Sequence, residues 1–410
     1  MDILRFITAG NVDDGKSTLI GRLLYDTGNI KSDILQSVAN DDEANAINLA
    51  HITDGLRAER EQGITIDVAY KYFTTAKRKF IITDAPGHYQ YTKNLVTGAS
   101  GADVMIVLID ALNGITDQTR RHSLVASFLG IKRVVVAINK MDAVDYDEQI
   151  FITIKNEYLV IANKLSIQNV TFIPISALHG DNVSFPSVNM PWYMGITLMQ
   201  YLENCEPILT SNDVTRFSVQ FAIGTAEIAY AGKMLSGKLN VGDQIQIFPG
   251  EQTSIVGKIT KGYATVIEAV ATQNICVHLQ GDIVVNRGNI IVPTTGSAPM
   301  CSIQFEANIC WLNSGQTLQI NKDYFLRIAC QETIGRVTEV IYKTDINSFE
   351  KYNDNSPLEV NEFARVKIET NEIIAYDFFS VLPETGRGII IDTETNYTSA
   401  ALVIKTVLAS

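Results

Sequence analysis

The sequence predicts a doubly wound, mostly parallel α/β domain followed by two all-β barrel domains. Three observations carry this prediction. The chain is 410 residues long, enough for two to four domains. Up to about Cys205, short apolar runs alternate with stretches of helical period. Beyond Cys205 the texture changes to short β-rich runs separated by Gly, Asn and Asp, the pattern of closed barrels or sandwiches.

In the first part, Ile3–Ala9, Phe80–Thr83, Val104–Ile109, Val134–Ile138 and Thr171–Ile175 are short, largely apolar runs that read as buried strands. Val68–Phe73 alternates less regularly and is expected at a sheet edge. Ser17–Tyr25, Thr119–Leu129 and Gln149–Leu165 place apolar residues at helical spacing between those runs. Glu206-Pro207 opens a linker. Expected strands then follow at Phe217–Ile223, Gly237–Leu239, Gln244–Phe248, Ser254–Ile259 and Asn274–Leu279. A second series runs through Ser302–Ile309, Tyr324–Cys330, Val337–Tyr342, Ala364–Thr370, Phe378–Leu382 and Gly388–Asp392. The expected domains are therefore residues 1–207, 208–299 and 300–410.

Composition narrows the function. The formal net charge is −12, and neither half is basic: residues 1–205 carry 18 Lys+Arg against 23 Asp+Glu, and the remainder 15 against 22. General nucleic-acid binding is not expected of such a chain. No run approaches the roughly 18 apolar residues of a spanning helix, since Asp110 cuts the longest strand run. No membrane association is expected. Asp2 and Arg5 break any signal-peptide core. The five cysteines are scattered without C-x-x-C spacing. A reducing, cytoplasmic location follows as the expectation.

The chemistry is carried by motifs at strand ends. After Ile3–Ala9 comes Gly10-Asn11-Val12-Asp13-Asp14-Gly15-Lys16-Ser17-Thr18, then a helical stretch. This is G-x-x-x-x-G-K-S between strand and helix, where backbone N–H groups and a helix start converge on phosphate oxygens. Lys16 supplies charge to the β/γ-phosphates, and the Ser17 hydroxyl is a ligand for Mg²⁺. About 70 residues on, Asp84-Ala85-Pro86-Gly87-His88 follows another apolar run. Asp84 is placed to hold Mg²⁺ through water, and Gly87 to admit the γ-phosphate. Alone, D-x-x-G is equally an ordinary turn; behind a P-loop it belongs to the site.

Asn139-Lys140-Met141-Asp142 stands at the end of Val134–Ile138. A carboxylate at Asp142 accepts from guanine N1–H and the 2-amino group together, and adenine offers it neither. Lys140 is expected along the base, and Asn139 as a tie to the P-loop. Ser176-Ala177-Leu178, after Thr171–Ile175, offers backbone donors for guanine O6. The ligand is therefore a guanine nucleotide, GTP with Mg²⁺. A segment of about 40 residues, Thr27–Gly63, ends in Gly63-Ile64-Thr65. It reads as a switch with Thr65 as a further metal ligand. His88, next to Gly87, is the candidate to orient the attacking water. The remaining histidines and the cysteines read as structural.

Together these motifs resemble the translation-factor class of GTPases, with its elongation-factor-like architecture. Within it the chain is similar to the family of large, GTP-binding subunits of bacterial sulfate adenylyltransferase (ATP sulfurylase). The resemblance rests on Val12–Asp26, on Asp54–Tyr70, and on Gln90-Tyr-Thr-Lys-Asn94, Asp117–Ser123 and Met190-Pro-Trp-Tyr193, and it continues to Thr395–Ala401. Phe221–Ala229 and Ala271–Gln280 depart from the family's usual wording, and Ala85 stands where Thr is common. The resemblance implies a GTPase partnered by a small catalytic subunit, in a heterodimer or higher assembly. That partner binds ATP and sulfate and makes adenylyl sulfate and pyrophosphate, driven by GTP hydrolysis on this chain. Some members of the family carry an appended adenylyl-sulfate kinase domain; with the sequence ending at Ser410, that fusion is not expected here. The alternative is an elongation-factor-type GTPase delivering aminoacyl-tRNA, which would share every GTP motif.

Overall fold

Strand β1 (Ile3–Ala9) occupies the middle of a six-stranded sheet and feeds directly into the phosphate-loop sequence. Around it lie β2 (Ala69–Thr74), β3 (Lys79–Asp84), β4 (Val104–Asp110), β5 (Arg133–Asn139) and β6 (Asn169–Pro174), in the order β2-β3-β1-β4-β5-β6. All neighbours pair in parallel except β2, the antiparallel edge strand that the irregular alternation of Val68–Phe73 predicts. All seven residues of β4 are buried, as a strand covered on both faces requires. The computed structural model describes residues 2–30, 49, 67–206, 214–224, 228–354 and 356–405. The chain divides into two compact units, Met1–Ile208 with Ile346–Glu350, and Leu209–Asp345 with Lys351–Ser410.

Sheet register is what assembles the site. The chain leaves β1 toward β3 on one side and β4 on the other, so β1 ends at a switch point, where ligands bind in open α/β sheets. Thr8 is level with Asp84 across β1 and β3, and Asp110 with Asn139 across β4 and β5. Helix α1 (Lys16–Asp26) starts at the end of β1, and its apolar face (Leu19, Ile20, Leu23, Leu24) is buried in the core with Leu4 and Phe6. Helices at Asp117–Phe128 and Glu148–Lys164 match the expected stretches; short helices at Thr92–Ala99 and Leu198–Asn204 add to them.

The second unit contains two antiparallel barrels of six strands; Ala264–Val266 extends the first and Lys351–Tyr352 the second, and in the first Lys238–Asn240 pairs separately with Glu268–Val270. In the first, Gln244–Phe248 pairs with both Ile290–Pro293 and Thr253–Lys261, which closes the ring. In the second, Tyr324–Ile328 pairs with both Arg387–Asp392 and Gln331–Thr344. One expected strand is corrected. Phe378–Leu382 is a turn in which the Val381 and Leu382 N–H groups donate to the Phe378 carbonyl at 2.8 and 3.1 Å, and the ring is completed by Thr398–Ile404. Phe379 and Leu382 are buried from that turn, and a short apolar run reads alike in either case. Ala229–Ser236 escaped the pattern because it is rich in small residues. Its Gly232 lies against the Ser218 carbonyl too closely for any Cβ.

Within this unit, Arg216 of the first barrel forks onto Asp377 of the second, with Nε and Nη2 donating at 3.0 and 2.8 Å. The Thr385 hydroxyl donates to the same carboxylate at 2.8 Å, and both ionic side chains are buried. Arg216→Ala would strand the Asp377 charge in the interior. It is expected to destabilise the unit by about 3–5 kcal/mol, read as a lower midpoint in urea unfolding, whereas an unchanged midpoint would show the pair to be dispensable.

Candidate functional site

The phosphate loop is stiffened by its own polar groups. Gly15 ends it at φ 91°, the left-handed conformation that glycine tolerates, and hands over to α1 at Lys16. The Asn11 N–H donates to the Asp14 carboxylate at 2.5 Å. Burial pushes that carboxyl up to about 6, against this bond and the nearby Lys16 charge. The Lys16 ammonium donates to the Gly10 and Asn11 carbonyls at 3.1 and 2.7 Å. Burial pulls its pKa below the ordinary lysine value, opposed by the Asp84, Asp14 and Asp13 carboxylates. An ammonium has three donors, and the loop takes two, so one is left for a ligand oxygen. Ser17 and Thr18 open the helix, half-buried, while Val12 is half-buried and Asp13 exposed on the loop.

Gly87 closes the site from the β3 side. A Cβ there would lie 2.5 Å from Lys16 Nζ and 2.7 Å from the Gly10 carbonyl oxygen, so only glycine fits against the loop. Asp84 is buried at the end of β3 and accepts from the Thr8 hydroxyl at 3.4 Å. His88 follows, half-buried, with its Nδ1 accepting from the Gln90 N–H at 3.4 Å and its ring 6.2 Å from that of Tyr91. Thr65 and most of the expected switch lie outside the described residues. Ser17 and Asp84 offer a hydroxyl and a carboxylate, an oxygen-only donor set that fits a hard cation such as Mg²⁺.

The base-side motifs are bonded to one another and to the loop. Asn139 Nδ2 donates to the Asp14 carbonyl at 2.8 Å, and its Oδ1 accepts from the Ala177 N–H at 2.9 Å. One buried amide thus ties P-loop, β5 and the Ser176 turn together. Lys140 sits at φ 61° with its ammonium 2.8 Å from the buried Asp110 carboxylate. Asp142 is held in the helical turn Met141–Val144, 3.9 Å from His179 Nε2. Of the three backbone donors expected at Ser176-Ala177-Leu178, two are used internally. Ser176 N–H goes to the Asp181 carbonyl at 3.1 Å, and Ala177 N–H goes to Asn139. Leu178 lies exposed at the tip.

Sequence reasoning gave no role to Asp110, which pairs with Lys140, or to Arg22, whose guanidinium donates to the Ala177 and Leu178 carbonyls. Asp110 was legible only as the one acid ending an otherwise apolar strand, level with Asn139. Arg22 carried no local signal. His122 is buried, with Nε2 3.0 Å from Gln118 Nε2, and burial pushes its pKa down to about 3, so it stays neutral and structural.

Residues 1–210 match the family described as the elongation factor Tu GTP binding domain, and residues 304–405 match the GTP-eEF1A C-terminal domain-like family. Sulfate adenylyltransferase subunit 1 of Francisella tularensis subsp. novicida is 44% identical over 100% of this chain and 88% of its own length. The protein of that name from Shewanella oneidensis is 41% identical over 98% and 85%. The bifunctional enzyme CysN/CysC of Mycobacterium tuberculosis is 42% identical over 99% of this chain and 68% of its own length. This chain belongs to the sulfate adenylyltransferase subunit 1 family, built on an elongation-factor-Tu-type GTP-binding domain.

Proposed function

We propose that this chain is the GTPase subunit of a cytoplasmic sulfate adenylyltransferase. In this reading it hydrolyses GTP so that a small partner subunit can make adenylyl sulfate and pyrophosphate from ATP and sulfate. The observation that carries the reading is 44% identity to a subunit 1 protein across the whole chain, with every phosphate- and base-side motif in place. The GTP-binding part spans 1–207, with barrels at 208–299 and 300–410. Among the described residues no helix is long and apolar enough to cross a membrane.

In this reading the loop from Gly10 to Thr18 wraps the phosphates with its N–H groups, and the third donor of Lys16 reaches the β/γ-oxygens. Ser17, Thr65 and, through water, Asp84 would hold Mg²⁺, which neutralises charge on the transferring phosphoryl group when bound. Gly87 keeps its backbone N–H open to the γ-phosphate, and Asp142 selects the base. His88 orients the attacking water. Replacing it by alanine is expected to leave GTP affinity intact and lower hydrolysis by about 10²-fold or more; normal turnover in that variant would place the water-orienting group elsewhere.

The deciding experiment measures GTP hydrolysis by the purified chain with and without the small subunit, ATP and sulfate, while following adenylyl sulfate. Hydrolysis that rises with the partner as product accumulates supports the reading. Hydrolysis that ignores the partner and responds to ribosomes or aminoacyl-tRNA would replace it with delivery of aminoacyl-tRNA.

A further inference from the structure

The turn Ser176–Gly180 is held from two sides. Asn139 takes the Ala177 N–H, as described above. From the other side comes Arg22, six residues along α1 from Lys16. Its Nε donates to the Ala177 carbonyl at 3.2 Å and its Nη2 to the Leu178 carbonyl. Its Nη1 lies 3.4 Å from Asp26 one turn further along the helix, and its guanidinium carbon is 5.7 Å from the centre of the Tyr25 ring. Gly180, at φ 87°, packs on the Arg22 side chain, where even a Cβ would stand 3.6 Å away. The guanidinium is fixed in place by partners on its own helix. Two of its forks go to carbonyls 155 and 156 positions distant in sequence.

Peptide planarity gives this clamp a consequence. In a trans peptide the Ala177 C=O and the Leu178 N–H point in opposite directions. With the carbonyl drawn toward Arg22, the Leu178 N–H is turned to the far side of the turn. The neighbouring donors are taken: Ser176 N–H by Asp181, Ala177 N–H by Asn139, and His179 N–H by the Ser176 hydroxyl at 3.2 Å. We propose that Arg22 is a positioning residue for base selection, holding the Ala177 and Leu178 carbonyls so that the Leu178 N–H is presented to guanine O6. This rests on the guanine-nucleotide reading above. It also makes α1 a rigid strut: the helix that begins at the phosphates sets the turn that meets the base, 9 Å along by helical rise of about 1.5 Å per residue.

The test compares GDP with two analogues on the purified full chain. In 6-thio-GDP the O6 acceptor becomes a weak sulfur acceptor while N1–H and the 2-amino group remain. In IDP the 2-amino group facing Asp142 is missing and O6 remains. The wild-type protein is expected to prefer GDP to both. Arg22→Ala should lose most of its preference over 6-thio-GDP, a fall of about fivefold to tenfold for one hydrogen bond, and keep its preference over IDP. Arg22→Gln, which preserves side-chain length and a donor, is measured alongside, so a misfolded alanine variant does not end the test; it should fall between. If affinity for all three nucleotides drops in parallel, Arg22 merely supports the fold and the proposal is overturned, as it is if neither preference changes. A wild-type protein indifferent to IDP against GDP would instead overturn the guanine reading itself.

Discussion

Lys16→Met is expected to weaken GTP and GDP binding on the order of 10³-fold, the effect of removing one partner from a desolvated charge pair. The ammonium is fixed by the Gly10 and Asn11 carbonyls, with Gly87 packed against it, and methionine brings no donor to that point. The fold should survive the change. Burial already disfavours the charged form of Lys16, which offsets part of the cost of leaving the Gly10 and Asn11 carbonyls and the nearby carboxylates without it. Thermal unfolding of the nucleotide-free variant should therefore remain cooperative while titration with a fluorescent GDP shows binding lost. Binding within tenfold of wild type would remove Lys16 from the phosphate site.

Asp142→Asn is the second large effect. The carboxylate offers only acceptors, matched to guanine N1–H and the 2-amino group. An amide offers a donor as well, which suits the 2-oxo group of xanthine. A buried polar site that hydrogen-bonds its ligand rejects the mismatched analogue by factors on the order of 10⁴, so the ratio of GTP to XTP affinity should shift by about that much. Competition of the two nucleotides for one labelled GDP complex measures it directly. The residue lies in a short helical turn at the protein surface, partly exposed, and the exchange is nearly isosteric, so stability should be unaffected. A variant that still prefers GTP would move base recognition away from Asp142.

The phosphate loop was legible because its signal is local. Strand, glycines, lysine and helix start are contiguous, and the backbone they specify is the site. The same holds for the parallel strands, whose largely apolar runs follow from burial in the sheet, and for Asn139, whose place at a strand end put it within reach of the P-loop. Phe378–Leu382 was misread because a short run of mostly apolar residues looks alike whether it pairs in a sheet or turns into a core. The bonding of Lys140 to Asp110 was hidden for a different reason. It depends on two strands lying side by side with their last residues level, a property of register rather than of either segment.

By itself the sequence determined what this protein binds, through the order and type of its motifs, and the α/β-then-barrel course of the chain. The tertiary structure alone decided which backbone groups of the Ser176 turn are already bonded within the protein. It does so through contacts such as Arg22 to Ala177 and Leu178, and Ser176 to Asp181. It also decided that the two barrels share the buried Arg216–Asp377 pair. Motifs report on backbone a few residues long, whereas these bonds join segments brought together only by the packed sheet and barrels. Their geometry is a product of the whole fold.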